Sequence, residues 1–314
     1  MNLVELFKFC IGGMAVNKAI RPKKSIFVVY LLPTFLLYVF SFLVPVFMAI
    51  YFSFQKFRSI NKMKFIGLRN YEKLFSDSNL LLAFRNNFFL VFVCLIGQIG
   101  LAFILANMLN SRLVNKRIGN LLRTVIYFPV TLSAVVMGYV WSMIYDYNYG
   151  LLNYFFRLIG RADLAIPWLS DSSVVMACVS VPMIWQYVGF HLVIILSAMT
   201  AIDPEIFEMA ELDGATGARK ALYITFPLIK NTLMICVFLC ISANMKAFDH
   251  IMVMTKGGPG YSSMVVSYYA YKIAFDEINI GYANTVSVAI MVVTSVIFAI
   301  SRTIMNRIGT GSLD

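Results

Sequence analysis

The chain has 314 residues, 60% of them hydrophobic and only 13% charged, with a mean hydropathy of +0.79. Soluble domains carry roughly twice that share of charge, so the pair of water-soluble domains that the length alone would allow is excluded. The net charge of +11 does not point to nucleic acid, because Lys and Arg flank apolar runs instead of forming a basic stripe.

The opening "MNLVELFKFCIGGMA" is apolar but short, and its basic flank, Lys18 to Lys24, comes after it. A signal peptide has its charge first. Residues 1–25 are therefore expected to be retained as an interfacial segment on the cytoplasmic face. Six apolar runs follow, at about 26–52, 88–109, 122–145, 174–199, 221–245 and 283–304, with 305–314 as a cytoplasmic tail. About 20 apolar residues span a bilayer as a helix. In lipid only helices and closed barrels satisfy their own backbone, and alternating ten-residue strands are absent. The expected fold is all-α: a polytopic membrane protein of six transmembrane helices, 26–304 forming one membrane domain.

Six spans put both ends on one side. With the N-terminus inside, the inner segments hold 13 Lys and Arg and the outer ones 11, so the positive-inside bias decides little. Arg21, Lys23 and Lys24 abut the first span and favour a cytoplasmic N-terminus. The long segments 53–87, 146–173 and 246–282 then lie outside.

One inner connection is unusual. "PEIFEMAELDGATGARK" (204–220) is polar and acidic between two apolar runs. Asp203 can cap a helix that Pro204 opens, and Glu205 and Glu208 suit its positive end. The helix is expected to stop at Gly214, with Thr216 or Asp213 capping a second short one. Phe207, Ala210 and Gly214 share a face, beside Glu208, Glu211 and Asp213. Such a helix can lie on the membrane surface, but the inner leaflet is usually anionic, and an acidic helix is better matched to a protein partner with basic residues.

The residues of this stretch resemble a known family. "EMAELDGA" followed by "ITFPL" is similar to the EAA motif of ABC importer permeases, matching at Glu208, Ala210, Asp213, Gly214, Ala215, Ile224 and Pro227. Met209 replaces an Ala and Phe226 a Leu. "IGLRNYEKLFSD", "YGLLNYFF", "PWLSD" and "AFDHIMVMTKGGPGYSS" resemble outer segments of the sugar-type branch, in order along nearly the whole chain. The resemblance implies a type I permease fold in a bacterial cytoplasmic membrane, both termini cytoplasmic. It implies that the elbow between the fourth and fifth spans is a coupling helix, with Glu208, Ala210, Asp213, Gly214 and Ala215 at an ATP-binding subunit. Its implied partners are a second permease, two ATPase subunits holding the ATP and magnesium, and an extracellular solute-binding protein. The implied cargo is a carbohydrate such as an oligosaccharide, or alternatively a sugar phosphate or polyol such as glycerol phosphate.

Polar and aromatic side chains inside the spans are expensive unless they line a path or pair. Gln186, Tyr187, Asn244, Trp141 and Tyr145 are the expected substrate-path residues; helix–helix hydrogen bonding is the competing reading for each. His191 reads as a packed interior histidine, and Lys246 with Asp249 as an i, i+3 pair. No phosphate loop of the G-x-x-x-x-G-K-[ST] kind occurs, so no cofactor is expected in this chain. The five cysteines show no metal spacing, and Cys94, Cys178, Cys236 and Cys240 lie inside apolar runs as packing residues. A stand-alone secondary transporter would show repeated broken helices with midplane charges, and a membrane enzyme an acid–base pair at depth; neither is evident.

Overall fold

A computed structural model describes residues 24–57, 63–111 and 114–310. The expected interfacial segment, up to residue 23, and residues 311–314 lie outside them. The chain divides into two units, Met1–Tyr51 and Phe52–Asp314.

The first span begins at Lys24 and runs without a break through Lys24–Tyr38, a π turn at Val39–Leu43 and Val44–Ser53. None of its apolar window is buried within the chain. It is apolar all round, as suits a helix that meets lipid or another chain.

In the second unit the chain after the first span forms a small antiparallel hairpin, β1 (Gln55–Phe57) with β2 (Met63–Phe65), Lys56 opposite Lys64. This is the one departure from all-helical structure among the described residues. The helix Arg69–Ser76 follows, then the second span, Ser78–Leu109, with a π turn at Leu95–Gly100. Asp77 caps that span by accepting from the Asn79 and Leu80 amides, both at 3.1 Å.

A single rod is expected over about 122–145, and here the structure differs. Helix Lys116–Tyr127 tightens into a 3-10 turn, Phe128–Thr131, and breaks; a second helix, Ala134–Ile144, leaves at 99°. Pro129 has no N–H and its ring disfavours helix in the turn before it, while Ser133 starts the new helix by accepting from the Val136 amide. The fourth span, Val175–Thr200, is the central rod: 61% of its apolar window is buried, more than in any other span among the described residues. It packs against the second span, both parts of the broken third and the fifth. A Cβ on Gly189 would collide with the Ile126 carbonyl and the Tyr127 backbone. Glycine there lets the fourth span lie directly on the end of the third.

The fifth span, expected from 221 to 245, starts irregularly. A π turn, Ala221–Thr225, and the short Phe226–Leu228 precede the rod Lys230–Met245; Pro227 again interrupts the ladder. The segment that follows holds two helices. Asp249–Met254 packs on Ala134–Ile144, and Val266–Phe275 packs on the last helix. That last helix, Ile280–Thr310, absorbs residues 305–310, which the sequence assigns to a tail.

Candidate functional site

The elbow is built as a locked corner. Its first arm, Pro204–Leu212, opens with the Asp203 carboxylate accepting from the Glu205 amide at 3.0 Å. It closes in a Schellman turn: the Gly214 amide donates to the Glu211 carbonyl at 3.1 Å and the Ala215 amide to the Ala210 carbonyl at 2.8 Å. Gly214 sits at φ +77°, the left-handed geometry that a side chain disfavours. Thr216 occupies the cap position of the second arm, Gly217–Lys220, but its hydroxyl makes no capping bond; Asp213 instead ends the first arm. The two arms are joined by Lys220, whose Nζ donates to Glu211 Oε1 at 2.9 Å and lies 5.5 Å from the Phe207 ring centre.

This corner orients the arm. Ala210 is buried and Phe207 half-buried, so the small-residue face turns onto this chain's own surface. The opposite stripe is open: Glu205, Glu208, Met209 and Leu212, at helical spacing, are all exposed, Leu212 at 88%. Asp213 and Gly214 are exposed at the tip and Ala215 is half-buried. The surface offered to a partner is therefore acidic and apolar together. The signal for it in the sequence was the i, i+3, i+4, i+7 spacing from Glu205.

Of the substrate-path residues, Trp141 and Tyr145 are brought together with their ring centres 5.4 Å apart. They form part of an aromatic chain, from Trp185 (5.9 Å from Trp141) through Tyr145 to Trp168 (6.5 Å) and Phe156 (6.0 Å). Trp185 is half exposed, and the buried Trp141 Nε1 has no partner among the described residues. Tyr187, two residues from Trp185, is half-buried.

Gln186 is fully buried. Its Nε2 donates to the Leu132 carbonyl at 2.8 Å, and its Oε1 lies 2.9 Å from His250 Nε2. Leu132 is the residue where the third span breaks, so Gln186 satisfies a carbonyl the break released. Asn244 is also buried and bonds within its own helix, to the Cys240 carbonyl at 2.8 Å. In this chain both make helix contacts, the competing reading given to them above. Gln98 does the same, donating to the Met183 carbonyl at 3.1 Å. His191 is buried, as a packed histidine should be. Lys246 and Asp249 form no ion pair, because the helix ends at Met245 and a new one starts at Asp249.

Two residues the sequence analysis passed over do more. Asn87 donates to the Asn244 and Met245 carbonyls, at 3.2 and 3.3 Å, and accepts from the Val266 amide at 2.7 Å. It thereby supplies a partner to the Met245 carbonyl and a second one to the Asn244 carbonyl, which also accepts from the Ala247 amide, at the end of the fifth span. Asn86 holds the Tyr261 and Met264 carbonyls. Adjacent amides in the apolar stretch after Arg85 were the available signal. Among the described residues no group of three His, Cys, Asp or Glu is placed to hold a metal.

Comparison with known proteins then decides the family. The profile described as "Binding-protein-dependent transport system inner membrane component" matches residues 98–310, which include the elbow and both halves of its corner. The chain belongs to that family. The permease is 32% identical over 278 residues to the probable ABC transporter permease protein YurN of Bacillus subtilis, covering 88% of this chain and 94% of that one. It is 28% identical over 304 residues to the diacetylchitobiose uptake system permease protein NgcF of Streptomyces coelicolor, covering 94% and 86%. Its fold is similar, at a TM-score of 0.78 and 22% identity, to a chain of a bacterial ABC transporter involved in the import of the acidic polysaccharide alginate, covering 90% of this chain and 96% of that one. The permease is thus an inner-membrane transport component whose fold, helical but for one small hairpin among the described residues, is the importer-permease fold expected from its sequence.

Proposed function

We propose that this permease is one membrane half of an ATP-driven importer that moves a carbohydrate, of oligosaccharide class, into the cell. The observation that carries the motor half of this reading is the exposed stripe Glu205, Glu208, Met209 and Leu212 on a corner locked by Gly214 and Lys220. A stripe that is acidic and apolar suits a protein cleft with basic and apolar walls. A corner that cannot bend can transmit displacement into the fourth and fifth spans. ATP and magnesium chemistry belongs on this reading to two separate motor chains, with the elbow, both termini and residues 305–314 on the cytoplasmic side. An extracellular solute-binding protein delivers the cargo, and a second permease chain completes the pathway.

The carbohydrate class is supported by the relatives: one is named for diacetylchitobiose uptake, another for multiple sugar-binding transport and a third for trehalose and maltose transport. The half-exposed Trp185, with the half-buried Trp141 packed beside it and the buried Tyr145 behind, offers a ring face of the kind sugar rings stack on. Gln186, on the same helix as Trp185, fixes that helix against the broken third span through Leu132.

The experiment is charge reversal at the elbow. In vesicles with its motor and binding protein, Glu208→Lys is expected to lower uptake about tenfold or more, because like charges then face each other in the cleft. ATP hydrolysis stops responding to loaded binding protein, while the amount of permease in the membrane is unchanged. Uptake at the normal rate contradicts the proposal.

A further inference from the structure

A cavity of about 530 Å³ lies between the inner end of the second span and the elbow, and nothing above accounts for it. One wall is the second span from Phe103 to Ser111; the other is the elbow's second arm and the π turn Ala221–Thr225. Its polarity changes with depth. At a rise of about 1.5 Å per residue, Ile104 lies about 9 Å deeper than Asn110, and Thr225 about 7 Å deeper than Lys220. Asn110 and the Lys220 ammonium therefore mark the polar rim, the half-buried Phe103 and buried Thr225 lie deepest, and the exposed Ile104 and Leu222 flank an apolar open side.

Thr225 is the unexplained member. Its side chain is fully buried, and its Oγ1 has no hydrogen-bond partner among the described residues although it lines the cavity. A buried hydroxyl without a partner is unfavourable by about 1–3 kcal/mol. It stands on a π turn, a widened helical geometry that recurs at functional sites. The mouth opens beside Ile104, Met108 and Leu222, each more than half exposed, so the cavity is continuous with apolar surface of the kind that meets lipid.

We infer that this cavity holds one glycerophospholipid from the leaflet the elbow faces. Its phosphate lies at Lys220, an ester carbonyl one step deeper accepts from the Thr225 hydroxyl, and an acyl chain runs along Phe103, Ile104 and Leu222. Lys220 already donates to Glu211, but an ammonium has three donors and the pair is not displaced. A sugar fits less well, because most of the cavity's lining is apolar and a ring of hydroxyls would meet few partners there. The inference rests on the chain's being a membrane protein and on the cavity, and not on which face is cytoplasmic or on what is transported.

The test is native mass spectrometry of the full chain in detergent, titrated separately with phosphatidylglycerol, with diacylglycerol and with inorganic phosphate. One phosphatidylglycerol per chain is expected to remain bound. Diacylglycerol, lacking the phosphate, is expected to bind about tenfold more weakly, and millimolar inorganic phosphate does not displace the lipid. Thr225→Val keeps the shape and removes the hydroxyl, so retention falls about three- to tenfold. Ala218→Trp, which fills the mouth, abolishes it. The proposal is overturned if both variants retain lipid as wild type does, if diacylglycerol binds equally, or if free phosphate displaces the lipid. It is also overturned if a photo-crosslinker at Ile104 captures the second permease in the assembled importer.

Discussion

Asp77 illustrates how single side chains hold this molecule together at the end of its second span. Besides capping the second span, its carboxylate accepts from the Tyr282 hydroxyl at 2.6 Å and the Tyr269 hydroxyl at 2.8 Å, and the Lys73 ammonium lies 4.1 Å from the Tyr282 ring centre. Three helices thus meet on one carboxylate, with Lys73 of a fourth beside it. Desolvation pushes its pKa up, but the two hydroxyls, the Leu80 amide and the Lys73 charge outweigh it and hold it below the usual carboxylate value. A depressed carboxylate stabilises the fold above its unfolded pKa of about 3.9 and loses that contribution as pH falls through the folded value. Asp77→Ala, which removes the cap and both hydroxyl acceptors, is expected to be destabilised by about 2 kcal/mol or more in thermal unfolding. For Asp77→Asn the gap to wild type should stay constant from pH 8 to 5 and narrow below about pH 4. A gap that widens on acidification contradicts this. None of it was visible in the sequence, where the two tyrosines lie about 200 positions from Asp77. The same limit applies to Gln186 and Asn244. That an amide in a span needs a partner is legible; that the partner of Gln186 is Leu132 depends on a break in another helix.

At the scale of elements, the apolar runs fixed where the rods lie because length and composition decide membrane insertion. The irregularities follow proline chemistry less predictably. Pro129 breaks its helix by 99°, whereas Pro182 sits inside a helix that continues for 26 residues. The difference is packing: the fourth span is buried on most sides and held by its neighbours, while the third has exposed residues on both sides of the break. The elbow was legible in detail, since Asp203, Pro204 and Gly214 are local signals; the Lys220–Glu211 bond that locks it spans the corner and was not. The close contact between the third and fourth spans is testable at Gly189. Gly189→Val is expected to be destabilised by about 1–3 kcal/mol or more, because the third span's backbone must move. Gly100→Ala, where an added Cβ meets nothing within 4 Å, should be neutral or slightly stabilised by better helix propensity. Equal melting temperatures for the two variants in detergent would show that the third and fourth spans do not touch at this point.

The whole molecule shows an inner-membrane transport component whose own residues account for a scaffold and leave surfaces to be covered. The apolar window of its first span is not buried within the chain, and its second and last spans bury less than a third of theirs. The fourth span alone behaves as a true core helix. Such a distribution suits a subunit that completes its packing with lipid and other chains. The central claim is that the acidic corner between the fourth and fifth spans sits in a motor subunit on the cytoplasmic side. The most direct measurement is cross-linking from Leu212→Cys, the most exposed residue of the stripe, in intact cells that express the assembled importer. The account expects a specific cross-link to the ATPase subunit that changes in yield with ATP, and no labelling of Leu212→Cys by a membrane-impermeant thiol reagent added outside. Labelling from outside, or no cross-link in an importer that still transports, would contradict it.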